Sequence, residues 1–207
     1  PPLQNNWSAA RAVYVAAWFH DAGYLLGEGN AHEENGAKEA LAFLKEQQAP
    51  ENVQQLVQGA ILATKMPQSP KNLVEQIVCD ADLSHLGSKT FSDRNKLLRH
   101  EIELTYQKEI PPVKWLANNI TFLSAHHYWT DYAQTKFRQQ KEENLEKLKK
   151  KLEKKTAATT MEESAPAPKT AAEKIKKDKV KKPERGVETM FRTTSTNHIR
   201  LSSMADS

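Results

Sequence analysis

From Ser8 to about Lys155 the apolar residues recur every third or fourth position, and no stretch alternates with period two between turn signals. A period near 3.6 gathers apolar groups on one side of a helix, whereas period two would put them on one face of a strand. The chain is therefore restricted to an all-α fold, with five or six helices over about residues 1–137. Ser8 to Phe19 is Ala-rich and apolar on more than one side, which suits a buried helix, and Gly23, Gly27, Gly29 and Asn30 end it. Glu33 to Gln47 carries Ala37, Leu41 and Leu44 on one face. Pro50 suits the first turn of a helix whose stripe is Val53, Leu56, Val57, Ala60 and Ile61. Ser69-Pro70 predicts the start of a helix reaching about Leu86, closed by Gly87. Phe91 to Lys108 follows, with Thr90 or Ser92 at its start, and Pro111-Pro112 breaks the chain. A single long helix is then predicted from Val113 to about Lys155. It would carry the Ala125–Trp129 stretch and pack Trp115, Phe122, Tyr128, Trp129 and Tyr132 on the core.

Charge divides the chain more sharply than periodicity does. The net charge of +4 invites a polyanionic partner, yet residues 1–136 are net −3, residues 137–185 net +7 and residues 186–207 neutral. The basic character belongs to one stretch. Within it Leu145, Leu148 and Leu152 have helical spacing among Lys and Glu, too few for a coiled coil. Thr156 to Thr170 and the Lys-rich Ala171 to Arg185 cannot bury enough apolar surface to offset chain entropy. Residues 138–185 thus read as a charged helix extension and a disordered basic linker. Residues 137–185 hold a single aromatic, Phe137, and so no platform for stacking bases; no nucleic acid is expected. A basic segment lying against anionic lipid fits better. The longest apolar run, Val13 to Phe19, is far short of the roughly 20 residues of a membrane span. The lone Cys79 cannot close an internal disulfide, which points to a reducing compartment.

Three short stretches can carry chemistry. The first is Ala16-Ala17-Trp18-Phe19-His20-Asp21-Ala22-Gly23-Tyr24, a His-Asp pair after an apolar helix. Burying a carboxylate beside an imidazole costs several kcal/mol unless something compensates. A divalent cation does so, since both groups are ordinary ligands; the plainer alternative is a pair at an exposed helix end. The second is Cys79-Asp80-Ala81-Asp82-Leu83, two carboxylates in an otherwise apolar helix. At ~100° per residue they point ~200° apart, so both cannot easily bind one ion. One faces a site, and the other hydrogen-bonds a ligand from outside or caps a neighbouring helix; two solvated carboxylates are equally compatible with the spacing. The third is His32-Glu33-Glu34 at a helix start, where a capping histidine is the simple reading.

Taken together, His20-Asp21 and the downstream Asp80-Ala81-Asp82-Leu83 stretch resemble the HD superfamily of metal-dependent phosphohydrolases. Ala63-Thr64-Lys65-Met66-Pro67 and Thr130-Asp131-Tyr132 look like its small bacterial branch. The resemblance covers about residues 1–137 and implies an all-α, HD-like helical bundle. It implies that His20, Asp21 and Asp82 are metal ligands and that His20 and Asp21 belong to the catalytic centre. Asp80 would act from outside the coordination sphere or at a second metal. His32 would sit at the mouth of the site, within reach of a second metal or a phosphate. Lys65, in the loop between the helices carrying His32 and Asp82, is the candidate to stabilise phosphoryl charge, a surface lysine being the plainer alternative. The implied cofactor is a divalent cation of the Mn, Mg, Fe or Ni type, and the implied substrate a nucleotide or other phosphorylated small molecule. The family has a further ligand histidine on an upstream helix, and none of the residues before His20 is His. The chain begins Pro1-Pro2 without Met, so the expectation is a piece of a longer protein, with weak metal binding and little activity. A degenerate site that binds without hydrolysing is the alternative.

Residues 186–207 open with Gly186-Val187-Glu188-Thr189-Met190-Phe191 and continue through Asn197-His198-Ile199-Arg200-Leu201. This segment resembles the start of the membrane-anchored effector domain of bacterial pyrimidine-cyclase (Pycsar) anti-phage systems. That resemblance implies a helical domain tethered through the basic linker to the cytoplasmic face of the inner membrane. It also keeps open a sensor or effector module, in which the helical domain binds a nucleotide and the membrane part responds.

Overall fold

The computed structural model describes residues 8–26 and 31–163. Among them every regular element is helical. In order these are α1 (Ala9–Phe19), a 3₁₀ turn (Ala22–Leu25), α2 (His32–Glu46), α3 (Glu51–Ala63), α4 (Leu73–Asp82), a second 3₁₀ turn (Leu83–Gly87), α5 (Phe91–Tyr106), α6 (Pro112–Ala125) and α7 (Asp131–Glu163). No helix among the described residues is long and apolar enough to cross a membrane. The Pycsar-like segment and the linker beyond Glu163 lie outside the described residues.

Two apolar clusters build the body. The first joins Ala12 and Ala16 of α1 to Ala37, Ala40 and Leu44 of α2, to Val53, Val57, Ala60 and Ile61 of α3, and to Val74 and Val78 of α4. The Ala-rich pattern of α1 serves close approach: small side chains let its neighbours' backbones come near. Gly36 belongs to the same device, because a Cβ there would overlap the Phe19 carbonyl oxygen at the end of α1. Gly23 does this for the start of α2, where a Cβ would overlap the His32 carbonyl. The second cluster joins Leu83, Leu86 and Phe91 to Leu116 and Leu123 of α6 and Leu148 of α7.

Three local expectations are corrected. The fourth helix starts at Leu73, not at Pro70. Asn72 caps it by accepting from the Glu75 N–H at 3.1 Å, while the Glu75 carboxylate accepts from Asn72 Nδ2 (2.8 Å) and Lys71 N–H (2.5 Å). That reciprocal cap outcompetes Ser69-Pro70. The helix also ends at Asp82, with a 3₁₀ turn covering the rest of the predicted span. The Leu145, Leu148 and Leu152 row of α7 packs on the second cluster, within the helix extension expected beyond residue 137. That helix runs on to Glu163, through part of the stretch read as linker.

The largest correction concerns the predicted long last helix, which is two helices. His126 is extended (ψ 139°), and residues 126–130 form a sharp link between α6 and α7. Neither Gly nor Pro lies there, so the break is made by tertiary contacts. Asp80 of α4 accepts from Trp129 N–H (2.7 Å), Thr130 N–H (2.8 Å) and Thr130 Oγ1 (2.7 Å). Thr130 Oγ1 in turn accepts from Ala133 N–H at 3.2 Å and caps α7. A carboxylate at a helix N-terminus satisfies donors with no partner in the helix and complements its dipole. On the other side Lys141, itself buried, donates to the His126 carbonyl, and Gln134 Nε2 donates to the Tyr128 carbonyl at 2.5 Å. Trp115 and Tyr128 are buried as expected, whereas Tyr132 is 71% exposed.

Two outcomes follow from this packing. Gly36→Ala would gain about 1 kcal/mol of helix propensity, but it forces a Cβ into backbone that cannot yield, at about 1–3 kcal/mol. Urea denaturation should show a net loss of stability; a gain would contradict the packing. The second concerns His126. Burial, then the charge of Lys141, with His127 and His85 beside it, pushes its imidazole down to about 3. Because the folded value lies below the ordinary one of about 6.5, its contribution is complete above pH 6.5 and is lost as pH falls towards 3. The slope is at most about 1.4 kcal/mol per pH unit. Stability curves from pH 7 to 4 should be shallower for His126→Gln than for the wild type; parallel curves would contradict this.

Candidate metal centre

α1 ends against the first turn of α2, and α4 packs alongside α1, so the ends of α1 and α4 meet. That junction places His20 and Asp21, just past α1, against Asp82, the last residue of α4. His20 Nε2 lies 3.3 Å from Asp21 Oδ2 and 3.6 Å from Asp82 Oδ1, and all three atoms are buried. The ring is aimed by its other nitrogen, which sits 2.9 Å from the Ala17 carbonyl. With Nδ1–H donating there, Nε2 is the atom presented to the two carboxylates.

Electrostatics explains what this arrangement needs. Burial alone would push the His20 imidazole down. The hydrogen bond and charge of Asp82 and the charge of Asp21 outweigh it and hold the group at about 9. In the chain as it stands a proton therefore supplies the positive charge between two partly buried carboxylates. A divalent cation is the chemical equivalent, and one nitrogen with two carboxylate oxygens is an ordinary donor set for one. Donors about 2.1 Å from a common ion stand roughly 3.0–3.4 Å apart, close to the two spacings found. Among the described residues no group of three or more His, Cys, Asp or Glu is already gathered as a metal site. The three side chains match a divalent cation by donor type, although as placed they do not form a group that could hold an ion.

The other predicted residues are placed as follows. Asp80 spends both carboxylate oxygens on Trp129 and Thr130 and is 4% exposed, so it holds α7 rather than serving a metal. The helix-capping alternative for one of the two carboxylates is the one realised. His32 is the first residue of α2. Its ring stacks on Tyr24 (centroids 3.9 Å apart, 16°) and its Nδ1 lies 3.2 Å from Glu33 Oε2. Tyr24 links it electrostatically to the centre: burial first, then the charges of Asp21, Glu33 and Asp82, push the Tyr24 hydroxyl up. Lys65 forms an ion pair with Glu34, which draws that carboxyl below its usual range. Both side chains are partly exposed, so the pair is screened by water. His126 and His127 lie in the link between helices and not on a helix; the exposed His127 lies against Trp129 (4.1 Å).

Sequence reasoning missed Gln68, Tyr24 and Glu34. Gln68 follows the Lys65-Met66-Pro67 stretch already singled out, and its side chain contacts both Asp82 and Trp129. Comparison with protein-family models, with curated proteins and with solved structures finds no match.

Asp80→Ala would leave the Trp129 and Thr130 N–H groups without their acceptor and uncap α7. The expected cost is about 3 kcal/mol or more, read by urea denaturation. A loss below about 0.5 kcal/mol would show that Asp80 does not hold the link.

Proposed function

We propose that this chain is a metal-dependent phosphohydrolase of the HD type, with an HD-like bundle, acting on a nucleotide or other small phosphoester. The observation that carries the reading is the meeting of His20 and Asp21 with Asp82, three buried ligand-type atoms from helices far apart in sequence. His20, Asp21 and Asp82 would hold the ion. A divalent cation there supplies polarisation of a phosphoryl oxygen and a more acidic water.

The chain's own residues do the rest. Asp21 and Asp82 provide two negative charges where burial weakens screening by water, so a cation is drawn in. The Ala17 carbonyl fixes which His20 nitrogen faces it. Lys65 is the cation for a substrate phosphate, and it must leave Glu34 to act. His32, held by Tyr24 and Glu33, is the group for a phosphate at the edge of the site. The Lys-rich stretch and the residues after it would tether this domain to the cytoplasmic face of a membrane through anionic lipid.

One observation favours a second reading, a nucleotide-binding sensor or effector module without hydrolysis: Lys65 is committed to Glu34, which leaves phosphoryl charge less well met. Both readings are separated by one set of measurements. Mn²⁺ calorimetry and a phosphatase and nucleotide screen are run on the chain, on His20→Ala and on Asp82→Ala. The expected result is Mn²⁺ binding and weak turnover, both lost by at least about 10-fold in each variant. Nucleotide binding without turnover would select the second reading. Turnover that survives both substitutions would sink the site assignment.

A further inference from the structure

We propose that Gln68 is the positioning residue of this centre. Its side-chain amide holds Asp82 so that one carboxylate oxygen faces His20, and it ties that orientation to Trp129 at the start of α7. The inference rests on reading His20, Asp21 and Asp82 as a cation site, although the contacts behind it exist without a cation.

Gln68 stands in the turn between α3 and α4. Its Nε2 donates to the Cys79 carbonyl at 3.3 Å and to Asp82 Oδ2 at 3.5 Å, and its Oε1 accepts from Trp129 Nε1 at 3.3 Å. The partners decide which end of the amide is which. Two of them are acceptors only and one is a donor only, so a flipped amide would set oxygen against two oxygens. The carboxylate of Asp82 is thereby divided: Oδ2 belongs to Gln68, and Oδ1 faces His20 Nε2 at 3.6 Å. An aspartate at a helix end can rotate about two bonds and exchange its oxygens. A neighbour that claims one oxygen removes that freedom, and groups outside a ligand set commonly aim its members in this way.

The same amide reaches Trp129, whose backbone N–H is held by Asp80. Asp80 thus grips the start of α7 directly, and Asp82 touches it through Gln68. A change at Asp82 should therefore reach the Trp129 indole through one side chain.

The test combines nitrogen–proton NMR of the Trp129 indole, assigned with Trp129→Phe, and Mn²⁺ calorimetry. In the metal-free chain, Gln68→Met should move the indole N–H resonance to the shift of a weaker hydrogen bond. Asp82→Ala should move it too, but should add nothing in a Gln68→Met background. A merely structural glutamine would not produce that dependence. Mn²⁺ affinity should fall about 10-fold in Gln68→Met, and less in Trp129→Phe, with unchanged circular dichroism. Wild-type affinity in Gln68→Met, or an indole signal indifferent to Asp82→Ala, would overturn the proposal. If no form of the chain binds Mn²⁺, the cation reading fails and the metal-free spectra alone decide the role of Gln68.

Discussion

Two carboxylates two residues apart on one helix point to opposite sides, and in this protein both sides are occupied. Asp80 turns towards α7 and accepts three hydrogen bonds from its start. Asp82 turns towards the end of α1 and meets His20. The first contact joins the two apolar clusters through hydrogen bonds that the local sequence of residues 126–130 does not supply. The second closes a buried charged centre. Both come from the last turn of α4, whose start is fixed by the cap that Asn72 and Glu75 form.

The centre is built on the cost of burying charge. Two carboxylates drawn in beside an imidazole are tolerable only with a positive charge between them. The bare chain supplies a proton on His20, held at about 9 by its two neighbours. This makes a cation-binding function economical as an inference: a divalent ion meets a demand that the side chains already express. Two further pairs hold the other candidate groups: His32 stacks on Tyr24, and Lys65 pairs with Glu34.

Much of this was legible in the residues, for identifiable reasons. The helical period of Ser8 to Phe19 and the polar pair that ends it are local features, and the helix lies where it was expected, although it is buried on one side only, with Tyr14 70% and Trp18 83% exposed. Opposite orientation of Asp80 and Asp82 follows from helix geometry alone. Other features depend on partners far along the chain and leave little local mark. The break between α6 and α7 has no Gly or Pro and is made by a carboxylate about fifty residues away. Lys65 finds Glu34 across 31 positions. Gln68 is one polar residue in a loop until Asp82 and Trp129 are seen on either side of its amide. The start of α4 was misplaced because Ser69-Pro70 is a good local signal that a better cap, three residues on, overrides.

The most direct measurement is anomalous diffraction from crystals of the chain grown with Mn²⁺. If His20, Asp21 and Asp82 form a cation centre, one peak stands among His20 Nε2 and the carboxylates of Asp21 and Asp82, with His20 no longer in direct contact with either. A peak elsewhere, or none while His20 still lies against both carboxylates, would contradict it and leave the charged cluster as a feature of folding alone.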